Sequence, residues 1–325
     1  MIFSKSIILF FLMVLLFTTC SKISPEDESI PGISGTQATI HKINPIDTDS
    51  SIDSSPYFHY AGINMNLPVK KILVLFLGGT SSDPASYSGL LSTPIGLGYH
   101  VISLQYPNAT AVGGLALNNL NEYGLIRQEI IEGLDTTTSI SITPENSIFN
   151  RINTLLIYLH NQYPTEDWGR YLLNNKVLWN SVIISGYSQG AGHAAWIAKK
   201  NQVKRLVLFS GVVDGKISDP RESASWITNT GWATPLSDIR YFISKNDGFY
   251  PAIKANLITL NENPDDTSMT ASVNTENPPY RNLRLLLTSD VTGDRAHPST
   301  CENGATPQLD NGVYQYQPVW NYLFN

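Results

Sequence analysis

The chain has 325 residues, of which 42% are hydrophobic and 15% are charged, and its formal net charge at pH 7 is −6. This length is sufficient for one large α/β domain with a sizeable core. An acidic chain without a basic cluster argues against nucleic acid as a partner.

The first 20 residues have the features of an export signal. Lys5 supplies positive charge, and residues 7–17 form an apolar stretch of 11 residues, which is too short for a comfortable membrane span. Residues 17–20, Phe-Thr-Thr-Cys, resemble a bacterial lipobox. We therefore expect export to the cell envelope and lipid attachment at Cys20, which would anchor the chain to a membrane. Plain signal cleavage and a retained N-terminal anchor are the alternatives.

Residues 21–55 are rich in Ser, Pro, Asp, Gly and Thr and have no apolar periodicity. They are predicted to form a flexible tether between the signal and a domain at residues 56–325. Cys301 is the only other cysteine. If Cys20 carries lipid, no disulfide is expected.

Apolar runs in the rest of the chain alternate with segments of helical spacing. An early strand is expected within residues 57–66, and buried strands at 71–77, 100–104, 182–184, 205–209, 239–244 and 283–288. Helices are expected at 84–98, 125–132, 148–163, 191–200, 250–258 and 319–324, with another short one at 168–173. This alternation predicts an α/β fold, with a mostly parallel central sheet and helices on both faces.

Two polar segments interrupt this pattern. Residues 108–146 are the least regular and are predicted to be an insertion over the strand ends, either a lid or a surface excursion. Residues 261–280 are polar and are expected to be irregular.

A strand, a sharp turn and a helix are predicted around the pentapeptide Gly186-Tyr187-Ser188-Gln189-Gly190. This G-x-S-x-G pattern is typical of a nucleophile elbow, in which small residues on either side of the serine avoid collisions across a strained turn. Ser188 would then sit at the tip, beside the free N–H groups of the following helix.

A serine nucleophile requires a base, and the base requires an acid to orient it. Of the six histidines, His297 lies in a loop after the last predicted strand and can reach Ser188. His193 lies on the elbow helix and is interpreted as a satisfied packing residue. Asp247, in a turn after the strand at 239–244, is the preferred acid, and Asp214, after the preceding strand, is the alternative.

Residues 57–325 resemble the α/β-hydrolase superfamily. The elbow carries most of this resemblance, and Leu77-Gly78-Gly79-Thr80 matches the oxyanion loop of the family. The order Ser188, Asp247, His297 is also that of the family's triad. The run Ser-Gly-Tyr-Ser-Gln-Gly-Ala-Gly-His-Ala-Ala is similar to a little-characterised bacterial branch of predicted hydrolases, which implies no particular substrate. The loop lacks the histidine that many lipases have before their glycines.

An oxyanion hole needs two preorganised N–H donors. We expect one from the backbone of Gln189, whose side chain need not take part, and the second from Gly79 or Thr80. No metal-ligand spacing or dinucleotide-type glycine loop is recognised, so no cofactor is expected.

These features favour a serine hydrolase that cleaves a small-molecule or polymer carboxylic ester through an acyl-enzyme. One alternative is a non-catalytic surface lipoprotein on a hydrolase scaffold. Another is a polymer or carbohydrate esterase, in which Trp168, Trp226 and Trp232 would stack on sugar or aromatic rings.

Overall fold

Residues 38–216 and 222–325, which this computed structural model describes, are arranged around a nine-stranded sheet. In chain order its strands are β1 (Thr39–Ile43), β2 (His59–Ile63), β3 (Leu73–Leu77), β4 (His100–Leu104), β7 (Val182–Tyr187), β8 (Arg205–Phe209), β9 (Ile239–Ser244), β10 (Thr270–Ser272) and β11 (Leu285–Thr288). A separate hairpin consists of β5 (Leu172–Leu173) and β6 (Lys176–Val177).

The strands lie in the order β1-β2-β4-β3-β7-β8-β9-β11-β10. Pairing is antiparallel between β1 and β2 and between β2 and β4. All other neighbours are parallel. The carboxyl ends of β3, β7, β8, β9 and β11 therefore meet at one edge, where loops can assemble a site.

Eight α-helices lie within the described ranges. They are α1 (Pro45–Thr48), α2 (Ser88–Gly96), α3 (Val112–Ala116), α4 (Glu122–Glu132), α5 (Ile148–Gln162), α6 (Gln189–Lys200), α7 (Tyr250–Thr259) and α8 (Gln317–Phe324). Apolar residues of α2 and α8 form one core cluster with the sheet, and those of α3 to α7 form a second.

Strand β3 explains this two-sided core. All five of its residues are buried. Leu73, Leu75 and Leu77 belong to the cluster with α3 to α7, whereas Val74 and Phe76 belong to the cluster with α2 and α8. Because side chains alternate along a strand, a continuous apolar run covers both faces of a central strand. The predicted fold class is confirmed: this is the α/β-hydrolase fold.

The predicted tether is wrong for residues 38–55. Strand β1 pairs with β2 over five residues, and α1 follows it. The His41 ring stacks on Tyr163 at 3.7 Å between centroids and bonds to Glu166 at 2.9 Å. An edge strand with polar side chains has little apolar periodicity, so composition concealed it. The signal, the lipobox and residues 21–37 lie outside the described residues.

Two further elements differ from the prediction. Within the segment expected to be irregular, residues 270–272 form β10, the parallel edge strand beside β11. Residues 168–171 form a single 3₁₀ turn, and the chain then enters the β5–β6 hairpin instead of continuing as a helix. Both elements are too short for a periodic pattern to be visible. None of the described helices is long and apolar enough to cross a membrane.

Candidate active site

Ser188 occupies a strained turn between β7 and α6, with φ 54° and ψ −117°. Close contact with neighbouring backbone explains why the residues two positions before and after Ser188 are both glycines. A Cβ on Gly186 would lie 2.3 Å from the Gly190 carbonyl oxygen, and a Cβ on Gly190 would lie 2.0 Å from that of Leu77. A side chain therefore does not fit at either position, and the elbow packs directly against the backbone at the end of β3.

Three predicted site residues from distant parts of the chain meet at this turn. His297 Nε2 lies 2.8 Å from Ser188 Oγ, and His297 Nδ1 lies 2.6 Å from Asp247 Oδ2. Asp247 follows β9, and His297 follows β11, so both come from the carboxyl edge of the sheet. This arrangement allows the hydroxyl to donate to the imidazole while the imidazole donates to the carboxylate.

Neighbouring groups fix the orientation of the imidazole. Ser210 Oγ donates to the His297 carbonyl oxygen at 2.7 Å. The rings of Tyr187 and Phe249 lie 5.0 Å and 4.9 Å from the His297 ring, between centroids. The Phe249 N–H donates to Asp247 Oδ1 at 2.8 Å, which leaves Oδ2 directed at the histidine.

Asp214, the alternative acid, is engaged elsewhere. Arg127 donates to its two carboxylate oxygens at 2.6 Å and 2.5 Å, and both side chains are buried. The Trp226 indole N–H adds a third hydrogen bond at 2.8 Å. Asp214 therefore pairs with an arginine beside the elbow, while Asp247 contacts the histidine.

Arg127 has a structural role that the sequence analysis missed. Its Nη1 donates to the backbone carbonyl of Gln189 at 3.0 Å, so it connects α4 to the start of the elbow helix. A Cβ on Gly192 would lie 1.9 Å from Arg127 Nη2. The second glycine of the elbow helix was visible in the sequence, but nothing there identified which side chain it accommodates.

Of the three backbone N–H groups considered as oxyanion donors, one already has an acceptor and two do not. The Gly79 N–H donates to Tyr87 Oη at 3.1 Å, so this candidate is already occupied. Among the described residues, no acceptor is found for the N–H of Thr80 or of Gln189. Thr80 and Gln189 thus remain as the pair of donors beside Ser188.

The Gln189 side chain takes a larger part than predicted. Its Oε1 accepts from Thr80 Oγ1 at 2.9 Å and from the Val112 N–H at 3.0 Å. It therefore ties the elbow to the loop after β3 and to the first turn of α3. Its Nε2 is buried without a hydrogen-bond partner among the described residues.

A cavity of about 430 Å³ opens at Ser188, and we call it the elbow cavity. Its wall combines backbone with small or apolar side chains, among them Ala111, Val112, Val213, Pro251 and Ala252. The Arg127–Asp214 pair also lines it. Lys216, the other charged residue of the lining, pairs with Glu222. Because these charged groups are paired, the cavity is suited to an apolar group of modest size.

The segment at residues 108–146 forms one side of the elbow cavity. The wall includes Ala111 and Val112 before and within α3, and Tyr123 and Arg127 on α4. Part of this segment therefore lies beside Ser188. Whether it moves as a lid stays a prediction.

Some predicted roles do not match the positions found. His193 is fully buried against Tyr106, at 5.4 Å between centroids, but neither of its ring nitrogens has a partner among the described residues. It is a packing residue, as expected, but its ring nitrogens lack the hydrogen-bond partners that were expected. Trp168 is fully buried, so it offers no face to a sugar ring. Trp226 and Trp232 are partly exposed, with Arg127 and Lys199 over their rings, so a stacking role for these two stays a prediction.

In the described ranges no three His, Cys, Asp or Glu side chains are grouped so that they could hold a metal ion. Cys301 is a free, buried thiol, and burial raises its pKa well above the ordinary value.

The architecture and the site define a protein with an α/β-hydrolase fold and a Ser-His-Asp constellation at its nucleophile elbow. No protein-family model and no curated protein matches the chain. Among solved structures, it is similar to esterase B from Lactobacillus rhamnosis, inhibited by a tributyrin phosphonate, at 12% identity and a TM-score of 0.49, over 92% of this chain and 88% of that one. A mutant of the esterase rPPE is similar at 11% identity and a TM-score of 0.43, over 90% of this chain and 82% of that one. The proposed function therefore rests on the geometry of the site.

Proposed function

We propose that this protein hydrolyses carboxylic esters through an acyl-enzyme on Ser188. The observation that carries the proposal is the continuous hydrogen-bonded series from Ser188 Oγ through His297 to Asp247, at 2.8 Å and 2.6 Å. A serine hydroxyl is a poor nucleophile, and a hydrogen-bonded imidazole oriented by a carboxylate is the arrangement that activates it.

In the first half-reaction, Ser188 Oγ bonds to the ester carbonyl carbon while its proton passes to His297 Nε2. The carbonyl oxygen becomes an oxyanion, which the N–H groups of Thr80 and Gln189 stabilise. When the intermediate collapses, the bond to the alcohol oxygen breaks and His297 gives the proton to that alcohol. The products of this half are the free alcohol and an acyl group on Ser188.

In the second half-reaction, water replaces the alcohol. His297 accepts a proton from the water as its oxygen bonds to the acyl carbon, and returns a proton to Ser188 Oγ as the carboxylic acid leaves. Asp247 stabilises the imidazolium in both halves and stays ionised.

The elbow cavity is the proposed site of the acyl group. Ser188, Thr80 and Gln189 are among its lining residues, so an acyl group bonded to Ser188 Oγ lies next to this cavity. A cavity of about 430 Å³ lies at the lower end of the usual range for small-molecule sites. We therefore assign it acyl groups of short to medium length.

We also propose that the chain is exported and held at a membrane of the cell envelope through lipid on Cys20. This proposal is supported by the charged, apolar and lipobox-like parts of residues 1–20. Incorporation of a radiolabelled fatty acid that disappears in Cys20→Ala tests it.

Ester hydrolysis is tested with p-nitrophenyl esters from acetyl to dodecanoyl. Wild-type protein is expected to hydrolyse the shorter members, and Ser188→Ala to lose kcat by about 10⁴-fold or more. Ser185→Ala, a serine change on β7 three residues before Ser188 and outside the constellation, is the matched control. A folded wild type without turnover would favour the alternative of a non-catalytic binding protein on this scaffold.

A further inference from the structure

A second cavity, of about 450 Å³, lies beyond the end of β4, and we call it the Arg151 cavity. Ten of its sixteen lining residues carry a hydroxyl or amide side chain, and apolar residues such as Pro107 and Ile142 complete the wall. Those used below are Ser81, Gln105, Asn108, Ser141, Asn146 and Arg151. Such a lining is suited to a ligand with many hydrogen-bonding groups.

The guanidinium of Arg151 is buried in the wall of this cavity and has no ionic partner. The residue is 2% exposed. Its Nε donates to the Asn146 carbonyl at 3.0 Å, its Nη2 donates to Asn146 Oδ1 at 2.8 Å, and its Nη1 donates to Gln105 Oε1. Throughout residues 38–216 and 222–325, no carboxylate lies within 4.0 Å of it.

These bonds use three of the five N–H groups of the guanidinium. All three acceptors are uncharged, so the positive charge is not neutralised where it is buried. Burial lowers the pKa of Arg151 to about 10. A buried charge without a partner is costly to maintain, and this cost is offset when an anion binds to it.

The other titratable groups near Arg151 do not neutralise its positive charge inside the cavity. Asp53 is exposed at the rim of the cavity, and its negative charge raises the pKa of Arg151. His59 is fully buried behind Gln105, and burial and Arg151 lower its pKa to about 3, so it is neutral at pH 7. Arg151 is thus the positive group of the cavity, opposed at the rim by Asp53.

The Arg151 cavity shares a wall with the loop that carries Thr80. Asn108 Nδ2 donates to the Gly79 carbonyl at 2.8 Å, and the Ser81 N–H donates to the Asn108 carbonyl at 2.8 Å. Ser81 lines this cavity, while the preceding Thr80 lines the elbow cavity. Consecutive residues of the loop after β3 therefore contribute to both cavities.

We propose that the Arg151 cavity binds a non-reacting part of the substrate, a hydroxyl-rich group with one carboxylate, such as an acidic sugar. The carboxylate would take the two remaining N–H groups of Arg151, and the hydroxyls would bond to the amide and serine side chains. This assignment rests on the proposed ester hydrolysis, because binding energy from a remote group accelerates the reaction at Ser188.

The first test is binding, measured by calorimetry on the full-length chain with Ser188→Ala. The probes are galacturonate and galactose, which differ only at C6, a carboxylate in the first and a hydroxymethyl group in the second. Galacturonate is expected to bind at least tenfold more tightly. Equal affinity, or no binding of galacturonate, would overturn the proposal.

Two rim variants sharpen this test. Asp53→Asn removes the opposing charge and is expected to tighten galacturonate binding two- to fivefold, without changing galactose binding. Ser141→Trp, at an exposed rim position, is expected to narrow the opening and weaken both sugars. Asp310→Asn, an exposed change outside both cavities, is the matched control. An unchanged affinity in both rim variants would place galacturonate elsewhere and contradict the assignment.

The second test uses the wild type and a pair of esters, mono-O-acetyl galacturonate and mono-O-acetyl galactose. The expected result is a kcat/KM at least tenfold higher for the acidic ester. Hydrolysis of both at equal kcat/KM would overturn the subsite and leave the proposed function intact. Hydrolysis of p-nitrophenyl esters but of neither sugar ester would overturn the subsite alone. Galacturonate binding to Ser188→Ala without hydrolysis of any of these esters by the wild type would contradict the proposed function itself.

Discussion

The two cavities beside the loop after β3 each have a buried arginine in their wall, but the two arginines differ in charge balance. Arg127, in the elbow cavity, is paired with Asp214 through two hydrogen bonds. Arg151, in the second cavity, bonds only to amide oxygens. The first arginine is therefore part of the framework, while the second keeps a charge that a ligand can neutralise.

This difference also separates two kinds of recognition. The elbow cavity has small apolar side chains next to Ser188, so size limits what it accepts. The Arg151 cavity has hydroxyls, amides and one positive charge, so hydrogen bonding and charge decide what it accepts. Under the two proposals made above, the substrate is an ester whose acyl group is apolar and whose other part is polar and acidic.

The largest expected effect is on kcat, and it compares a change in the carboxylate that contacts His297 with the same change in the carboxylate that contacts Arg127. Asp247→Asn is expected to lower kcat about 10⁴-fold, because an amide does not hold the imidazole in the required tautomer. Asp214→Asn is expected to lower kcat less than tenfold per folded molecule. The measurement is steady-state hydrolysis of p-nitrophenyl butyrate, normalised to the folded fraction. Equal losses in the two variants would make Asp214 part of the chemistry.

The next prediction concerns the free energy of unfolding. It compares an arginine-to-methionine change at the two buried arginines. Arg127→Met leaves the Asp214 carboxylate buried without its ionic partner and is expected to cost about 3–5 kcal/mol of unfolding free energy. Arg151→Met leaves only neutral oxygens without donors and is expected to cost about 1–3 kcal/mol. Urea unfolding of the two variants compares them. A larger loss at Arg151 would contradict its description as an arginine without an ionic partner.

A third prediction concerns pH and the histidine next to the Arg151 cavity. The pKa of His59 is about 3 when folded, below its ordinary value near 6.5. The unfolded chain therefore binds a proton that the folded chain does not, and stability falls as the pH drops below 6.5. The slope for this group is about 1.4 kcal/mol per pH unit.

Thermal unfolding between pH 7.5 and 5.0 measures this slope. His59→Gln is expected to reduce the loss of Tm in acid, whereas His160→Gln, a change at an exposed ring, should leave it as in the wild type. A slope unaffected by His59→Gln would show that this histidine is not the group that titrates.

The smallest expected effect comes from a substitution on α3 that adds a side chain at the wall of the elbow cavity. A Cβ at Gly114 meets no atom within 4 Å, so Gly114→Leu projects into open space at the cavity wall. It is expected to lower kcat/KM for hexanoyl esters about tenfold and to leave acetyl esters unchanged. Gly96→Leu, equally open but on α2, is the control. A uniform loss for all chain lengths would indicate a disturbed elbow and not a shorter acyl site.

The sequence analysis recovered those parts of the molecule that have strong local patterns. Central strands such as β3 and β8 are continuous apolar runs, and the elbow needs glycines where backbone approaches closely. Ser188, Asp247 and His297 could be selected because each follows a predicted strand, and those strands end at one edge of the sheet.

Other features depend on contacts between distant residues and have no local pattern. Strand β1 is recognisable only through its pairing with β2, and β10 through its pairing with β11. The Arg127–Asp214 pair joins residues 87 positions apart, and the hydrogen bond from Gly79 to Tyr87 depends on how the loop folds back. The Arg151 cavity is assembled from four separate segments, so its polar residues do not form a motif.

The most direct measurement of the central claim is labelling of the full-length chain with a fluorophosphonate probe, which reacts with activated serines. The account predicts labelling at Ser188 that disappears in Ser188→Ala and falls strongly in Asp247→Asn, but persists in Asp214→Asn. A folded wild-type chain that stays unlabelled, including in detergent that would open a closed lid, would contradict it.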